Sequence, residues 1–144
     1  VSFLLGASFL FVGASHEIIS PMLIPMLLAF GLTFLREIIK DVADIEGDLS
    51  LGLKTYPIIS GVDFYRRTII SLCLLVGLFS LVPYLIGIYG LGYLLLLIIG
   101  VEIPLLITMF IFFKNPSISS AIFSARLLKF STLMGLLSIY FGTV

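Results

Sequence analysis

Glu37, Asp41, Asp44 and Asp48 follow one another at spacings of four, three and four residues. On a helix these positions share one face, with neighbouring Cβ atoms about 5–6 Å apart. Like charges that close cost an isolated helix about 0.2–0.5 kcal/mol per pair. Arg36 and Lys40 stand just upstream, but helical geometry turns them to other faces, and it turns Glu46 away as well. A divalent cation is the natural counter-charge. Carboxylates are hard oxygen donors that suit Mg²⁺ or Mn²⁺. No His or Cys stands among them, which argues against zinc. Mg²⁺ usually takes one or two carboxylates and fills its shell with water and substrate phosphates. The chemistry indicated is a phosphate or diphosphate held by a divalent ion. Spacing alone leaves a second reading open, a solvated helix end with no ligand.

The elements that must carry this stripe are apolar. The chain is 60% hydrophobic and 11% charged, with a mean hydropathy of +1.28. A soluble domain carries about 25% charged residues. The formal net charge of zero gives no electrostatic footprint for nucleic acid. Cys73 is the single cysteine, so an intrachain disulfide and a cysteine metal site are excluded. Apolar segments are expected at residues 1–14, 21–35, 68–88, 91–113 and 127–143, with the second extending through Ile38 and Ile39. Their runs are continuous rather than alternating, which favours helices over a membrane barrel. The expected fold is all-α: a multi-pass transmembrane bundle of about five helices, forming a single membrane domain over residues 1–144. The first segment carries no basic n-region and no methionine, and is read as the tail of a helix that begins upstream.

All eight Lys and Arg residues fall on two alternate connections, 36–67 and 114–129. The positive-inside rule places those connections, and with them the acidic stripe, on the cytoplasmic face of the cell membrane. Tyr84, Tyr89, Tyr93 and Tyr140 are expected at the opposite interface, and His16 is expected to be interfacial there. Gly47 is expected to loosen the helix so that Asp48 turns inward. Downstream, Lys54 is a compact donor for a phosphate oxygen, Gly52 and Gly61 permit tight turns or close backbone approach, and Tyr56-Pro57 is expected to form an extended turn. Arg66 and Arg67 read as topology determinants. Gly77, Gly87, Gly92, Gly100 and Gly135 are expected to let helices approach closely. Glu102, two residues before Pro104, is an intramembrane carboxylate expected to bond backbone freed at a proline kink.

The run REIIKDVADIEGDLSLGLKTYPI, beginning at Arg36, resembles the second aspartate-rich motif of the UbiA superfamily of membrane prenyltransferases. Asp44 and Asp48 match its DxxxD, and Gly52, Lys54 and Thr55 match the segment that follows. The resemblance implies a bundle of which this chain forms the C-terminal half, with Asp44 and Asp48 catalytic and Asp41, Asp44 and Asp48 holding Mg²⁺ (or Mn²⁺). It implies that Lys54 and Arg36 bind diphosphate. The implied partners are a prenyl diphosphate, a lipid or aromatic acceptor, and membrane lipid. The form of the motif is most similar to the archaeal lipid-forming branch. That likeness implies geranylgeranyl diphosphate as donor and geranylgeranylglyceryl phosphate as acceptor, with an aromatic quinone precursor as the alternative. The family's first motif, NDxxDxxxD, is absent: Asn115 is the only asparagine. Two other classes remain in view. A CDP-alcohol phosphotransferase needs glycine after its first aspartate, which neither Asp41 nor Asp44 has. A divalent-cation transporter or structural subunit would want acids at mid-membrane, where only Glu102 stands.

Overall fold

A computed structural model describes residues 2–15 and 19–143, so His16 and its expected place lie outside the described residues. The described residues are helical or in short connections, with no strand. The elements are α1 (Ser2–Ser15), α2 (Ile19–Ala43), α3 (Ile45–Ser50), α4 (Tyr56–Ser60), α5 (Val62–Leu85), α6 (Leu91–Leu97), a π-helical turn (Ile98–Glu102), α7 (Ile103–Lys114) and α8 (Ile118–Thr143). Four stretches are long and apolar enough to cross a membrane: Met22–Ala43, Val62–Leu85, Leu91–Lys114 and Ile118–Gly142. In a medium without water, helices satisfy every backbone group internally, which is why the apolar runs adopt this form.

Two helices begin earlier than hydropathy indicates. α8 starts at Ile118 rather than near residue 127, because the Ser117 Oγ accepts from the Ser120 amide at 3.3 Å and caps the first turn. α5 starts at Val62, directly after Gly61, whose φ of 78° ends the preceding turn. Thr55 is the extended residue before α4, so Tyr56 and Pro57 open a short helix instead of the expected extended turn. Pro57 sits in that first turn, where a missing amide costs nothing.

α2, α5, the α6–α7 rod and α8 close a ring: α2 packs on α5 and α8, α8 on α6, and α7 on α5, with α1 outside against α2. Leu35, Ile39, Ile69, Tyr93, Phe112 and Leu128 fill the interior, while Phe79 and Phe110 point outward. On α8 the buried positions Ala121, Ser124, Leu128, Ser131 and Ser138 recur at three-, four- and seven-residue steps, one helix face. Small side chains there let neighbouring helices approach. Gly100 lies so close under the Met134 side chain that an added Cβ would collide with it. A Cβ at Gly77, Gly92 or Gly135 would meet a neighbour at 3.0, 3.1 or 3.4 Å. Gly87 does otherwise: its φ is 75° and open space surrounds it, so it serves a turn.

The two ends of the ring are fixed by specific contacts. The Tyr65 hydroxyl donates to the Pro116 carbonyl at 3.1 Å, tying the start of α5 to the α7–α8 turn. The two basic connections therefore share one end. At the other end, Gly142 nestles against the Cβ atoms of Tyr89 and Tyr93. Those two tyrosines are buried, with ring centroids 4.8 Å apart, so they pack inward rather than forming the expected interfacial belt. Hydropathy does not separate an inward tyrosine from an interfacial one. Tyr140 is exposed, as an interfacial ring would be.

Substituting Gly100→Ala in the full-length protein is expected to cost about 1–3 kcal/mol of stability, the scale of overpacking a tight core. Gly90 has open space at its Cβ and a φ of −81°, so Gly90→Ala should leave the thermal midpoint in detergent unchanged. Equal midpoints for the two variants would contradict this packing.

Candidate functional site

The site residues gather where α2 ends. Asp41 is half-buried on the last turn of α2. Asp44 is exposed at the junction with α3. There the chain departs only slightly from helix: the Asp44 amide still reaches the Lys40 carbonyl at 3.0 Å, and the Asp48 amide reaches the Asp44 carbonyl at 2.9 Å. The two helices thus run on nearly as one, and the four-three-four stripe survives the junction. The Asp41 carboxyl lies within electrostatic reach of Glu37, Asp48 and Asp44, and of Lys40, which acts in the opposite sense. The loosening falls at Asp44 and not at Gly47, which sits inside α3. Asp48 is nonetheless half-buried. Its carbonyl accepts from the Leu51 and Leu53 amides at 3.2 and 2.9 Å, anchoring the loop that follows.

No ion pair engages Asp41, Asp44 or Asp48 among the described residues. Asp44 precedes α3 without using its side chain as a cap. These carboxylates are therefore available as ligands. Among the described residues no three His, Cys, Asp or Glu side chains converge into a cage that holds an ion alone. That donor set fits Mg²⁺ as one side of a shared site, because the ion needs only one or two protein carboxylates and draws the remaining oxygens from phosphate and water.

Lys54 is exposed in the α3–α4 loop, after Gly52 turns the chain with a φ of 68°. Gly52 and Gly61 have open space at Cβ, so both serve turns rather than close approach. α4 is held on α5 by the 2.8 Å hydrogen bond between Tyr56 Oη and Thr68 Oγ1 and by the edge-on Tyr56–Phe64 ring pair. Arg66 pairs with Asp63 at 3.2 Å. Arg36 does not reach along the stripe. Its Nη1 donates to Glu37 Oε1 at 3.1 Å, and its buried Nε has no partner. Arg36 and Glu37 together line a groove of about 650 Å³ between α2 and α8, opposite Arg126 and Lys129. Sequence reasoning assigned Arg126 and Lys129 to a connection. With α8 starting at Ile118, both stand on the body of that helix, which hydropathy did not signal.

Glu102 is braced rather than kinked. The Ser80 hydroxyl bonds its Oε1, the Tyr93 hydroxyl donates to the Ser80 carbonyl at 2.6 Å, and Gly77 leaves room for the carboxyl. The backbone before Pro104 is satisfied by the π turn, where the Ile103 amide reaches back to the Ile98 carbonyl. The carboxyl thus links α5 to the α6–α7 rod, in place of the expected bond to freed backbone.

The UbiA prenyltransferase family profile matches residues 1–138. The chain is 35% identical over 138 residues to the digeranylgeranylglyceryl phosphate synthase of Methanopyrus kandleri, covering 96% of this chain and 50% of that one. To the Methanococcus aeolicus protein of the same name it is 34% identical, covering 100% and 51%. It also superposes with a TM-score of 0.88, at 30% identity, on a solved structure concerned with the biosynthesis of digeranylgeranylglyceryl phosphate synthase in membranes. That match covers 99% of this chain and 50% of the other. An all-helical membrane bundle with an aspartate stripe at its basic end is the architecture of a membrane prenyltransferase, and the chain belongs to the UbiA prenyltransferase family. It spans about half the length of the curated relatives it matches.

Glu102→Gln keeps hydrogen bonding to Ser80 and should preserve the fold, whereas Glu102→Leu should cost roughly 1 kcal/mol, within the range for interhelical hydrogen bonds in membranes. Thermal unfolding in detergent measures both. A folded Glu102→Gln protein without prenyl transfer would instead assign the carboxyl to the chemistry.

Proposed function

We propose that this chain is the C-terminal half of a Mg²⁺-dependent (or Mn²⁺-dependent) prenyltransferase. It moves a geranylgeranyl group from its diphosphate to geranylgeranylglyceryl phosphate. The reaction site faces the cytoplasm. One observation carries the reading: three carboxylates without ion-pair partners share a stripe at the bundle end that also gathers the basic connections. The names of the relatives support the choice of donor and acceptor.

In this reading the allylic C1–O bond breaks heterolytically and diphosphate departs with the electron pair. The acceptor hydroxyl oxygen bonds C1 and its proton passes to the departing diphosphate. Asp44 and Asp48, with Asp41 behind them, would hold a divalent ion, whose Lewis acidity would neutralise the leaving group when bound. Lys54 and Arg36 contribute donors to the diphosphate oxygens. An apolar groove of about 550 Å³ between α2 and α5, lined by Phe30, Phe34, Leu75 and Phe79, has the chemistry to hold a prenyl chain away from water.

In the full-length protein, Asp44→Ala and Asp48→Ala should each lower prenyl transfer about 100-fold or more, the scale of removing a pre-organised contact to developing charge. The thermal midpoint should stay within a few degrees of wild type, since neither side chain braces the bundle. Transfer is followed with labelled geranylgeranyl diphosphate and either glyceryl-lipid or aromatic acceptors. Full activity in either variant contradicts the site, and transfer to the aromatic acceptor alone contradicts the lipid branch.

A further inference from the structure

The α2–α8 groove holds three cations, Arg36, Arg126 and Lys129, against one carboxylate, Glu37, which Arg36 already engages. Neither Arg126 nor Lys129 has an ion-pair partner among the described residues. They are not tip charges that merely set topology. Lys129 lies eleven residues into α8, which at the helical rise is about 16 Å from its start. Arg36 lies seven residues before the end of α2, about 10 Å. Both therefore stand on the bodies of their helices, facing the groove. The Arg36 Nε is an orphaned donor at the groove wall. Beyond the charges, the groove is floored by Leu5, Phe130, Leu133 and Leu136. A cationic wall beside an apolar floor is the complement of a phosphate-bearing lipid. Glu37 lines the groove and stands one helical turn before Asp41 on α2, so the groove reaches the first carboxylate of the acidic stripe.

We propose that Arg126 and Lys129 bind the phosphate of the lipid acceptor and so fix which lipid is prenylated, while Arg36 between them and the stripe stays with the donor's diphosphate. This rests on the transfer reaction proposed above. The acidic stripe with its ion takes the donor's diphosphate. The groove takes the phosphomonoester and lays the acceptor's chain along the α8 floor.

The test uses the full-length protein with phosphorylated and dephosphorylated geranylgeranylglycerol as acceptors. Wild type should prefer the phosphorylated lipid in kcat/KM by about 10-fold or more, the scale of charge-assisted hydrogen bonds. Arg126→Gln/Lys129→Gln should collapse that preference to within about threefold, through the KM for the acceptor. The KM for geranylgeranyl diphosphate should not follow it. Arg126→Lys/Lys129→Arg should retain the preference. If the double Gln variant melts early, Lys129→Gln alone is read in the same way, since this side chain is exposed. A preserved preference in the Gln variants overturns the proposal. A rise in the KM for diphosphate alone also overturns it and assigns the groove to the donor. Wild-type protein that transfers to neither lipid contradicts the reaction itself rather than the groove.

Discussion

Like charge gathered into one stripe at one end of an apolar bundle is the constraint around which this molecule is organised. Asp41, Asp44 and Asp48 repel one another along one stripe and no ion pair offsets them among the described residues. Such a stripe opposes the helix that carries it. The helix persists because α2 is held elsewhere: Leu35, Ile39 and Val42 are fully buried on the turns leading to the stripe. Close packing of these side chains against the bundle, with the backbone hydrogen bonds that a water-poor medium enforces, outweighs the few tenths lost per acidic pair. The packed ring thus maintains an electrostatically unfavourable array at a fixed place. A ligand of opposite charge would relieve it.

The rest of the ring serves that placement. Close contacts at Gly100 and Gly135 seat α8 against the rod and α2. The Tyr65–Pro116 hydrogen bond brings the two basic connections to one end. The Glu102–Ser80 bond joins α5 to the rod in the bundle interior. As a result, cations from α2 and α8 and the Glu37 carboxylate line one groove although they are about ninety residues apart in sequence.

Local features of this site were legible in the sequence. The stripe depends only on helical period, and Gly52 and Gly61 do adopt the turn conformations their residue type allows. The membrane bundle followed from continuous apolar runs. What depends on neighbours was not legible. The break at Asp44 has no glycine or proline to announce it, and Gly47 drew attention three residues too late. Tyr89 and Tyr93 face inward because Gly142 makes room for them, a tertiary fact. Arg126 and Lys129 read as connection residues until the Ser117 cap extended α8 around them and α2 came to lie opposite.

The central claim is that the stripe is half of a divalent-ion clamp completed by diphosphate. It is tested most directly by Mn²⁺ binding to the full-length protein, followed by electron paramagnetic resonance with and without a non-reactive geranylgeranyl thiolodiphosphate. Mn²⁺ should bind tightly only with the analogue present, and Asp44→Ala/Asp48→Ala should weaken that binding by more than about tenfold. Unchanged Mn²⁺ affinity in the double variant would contradict the account.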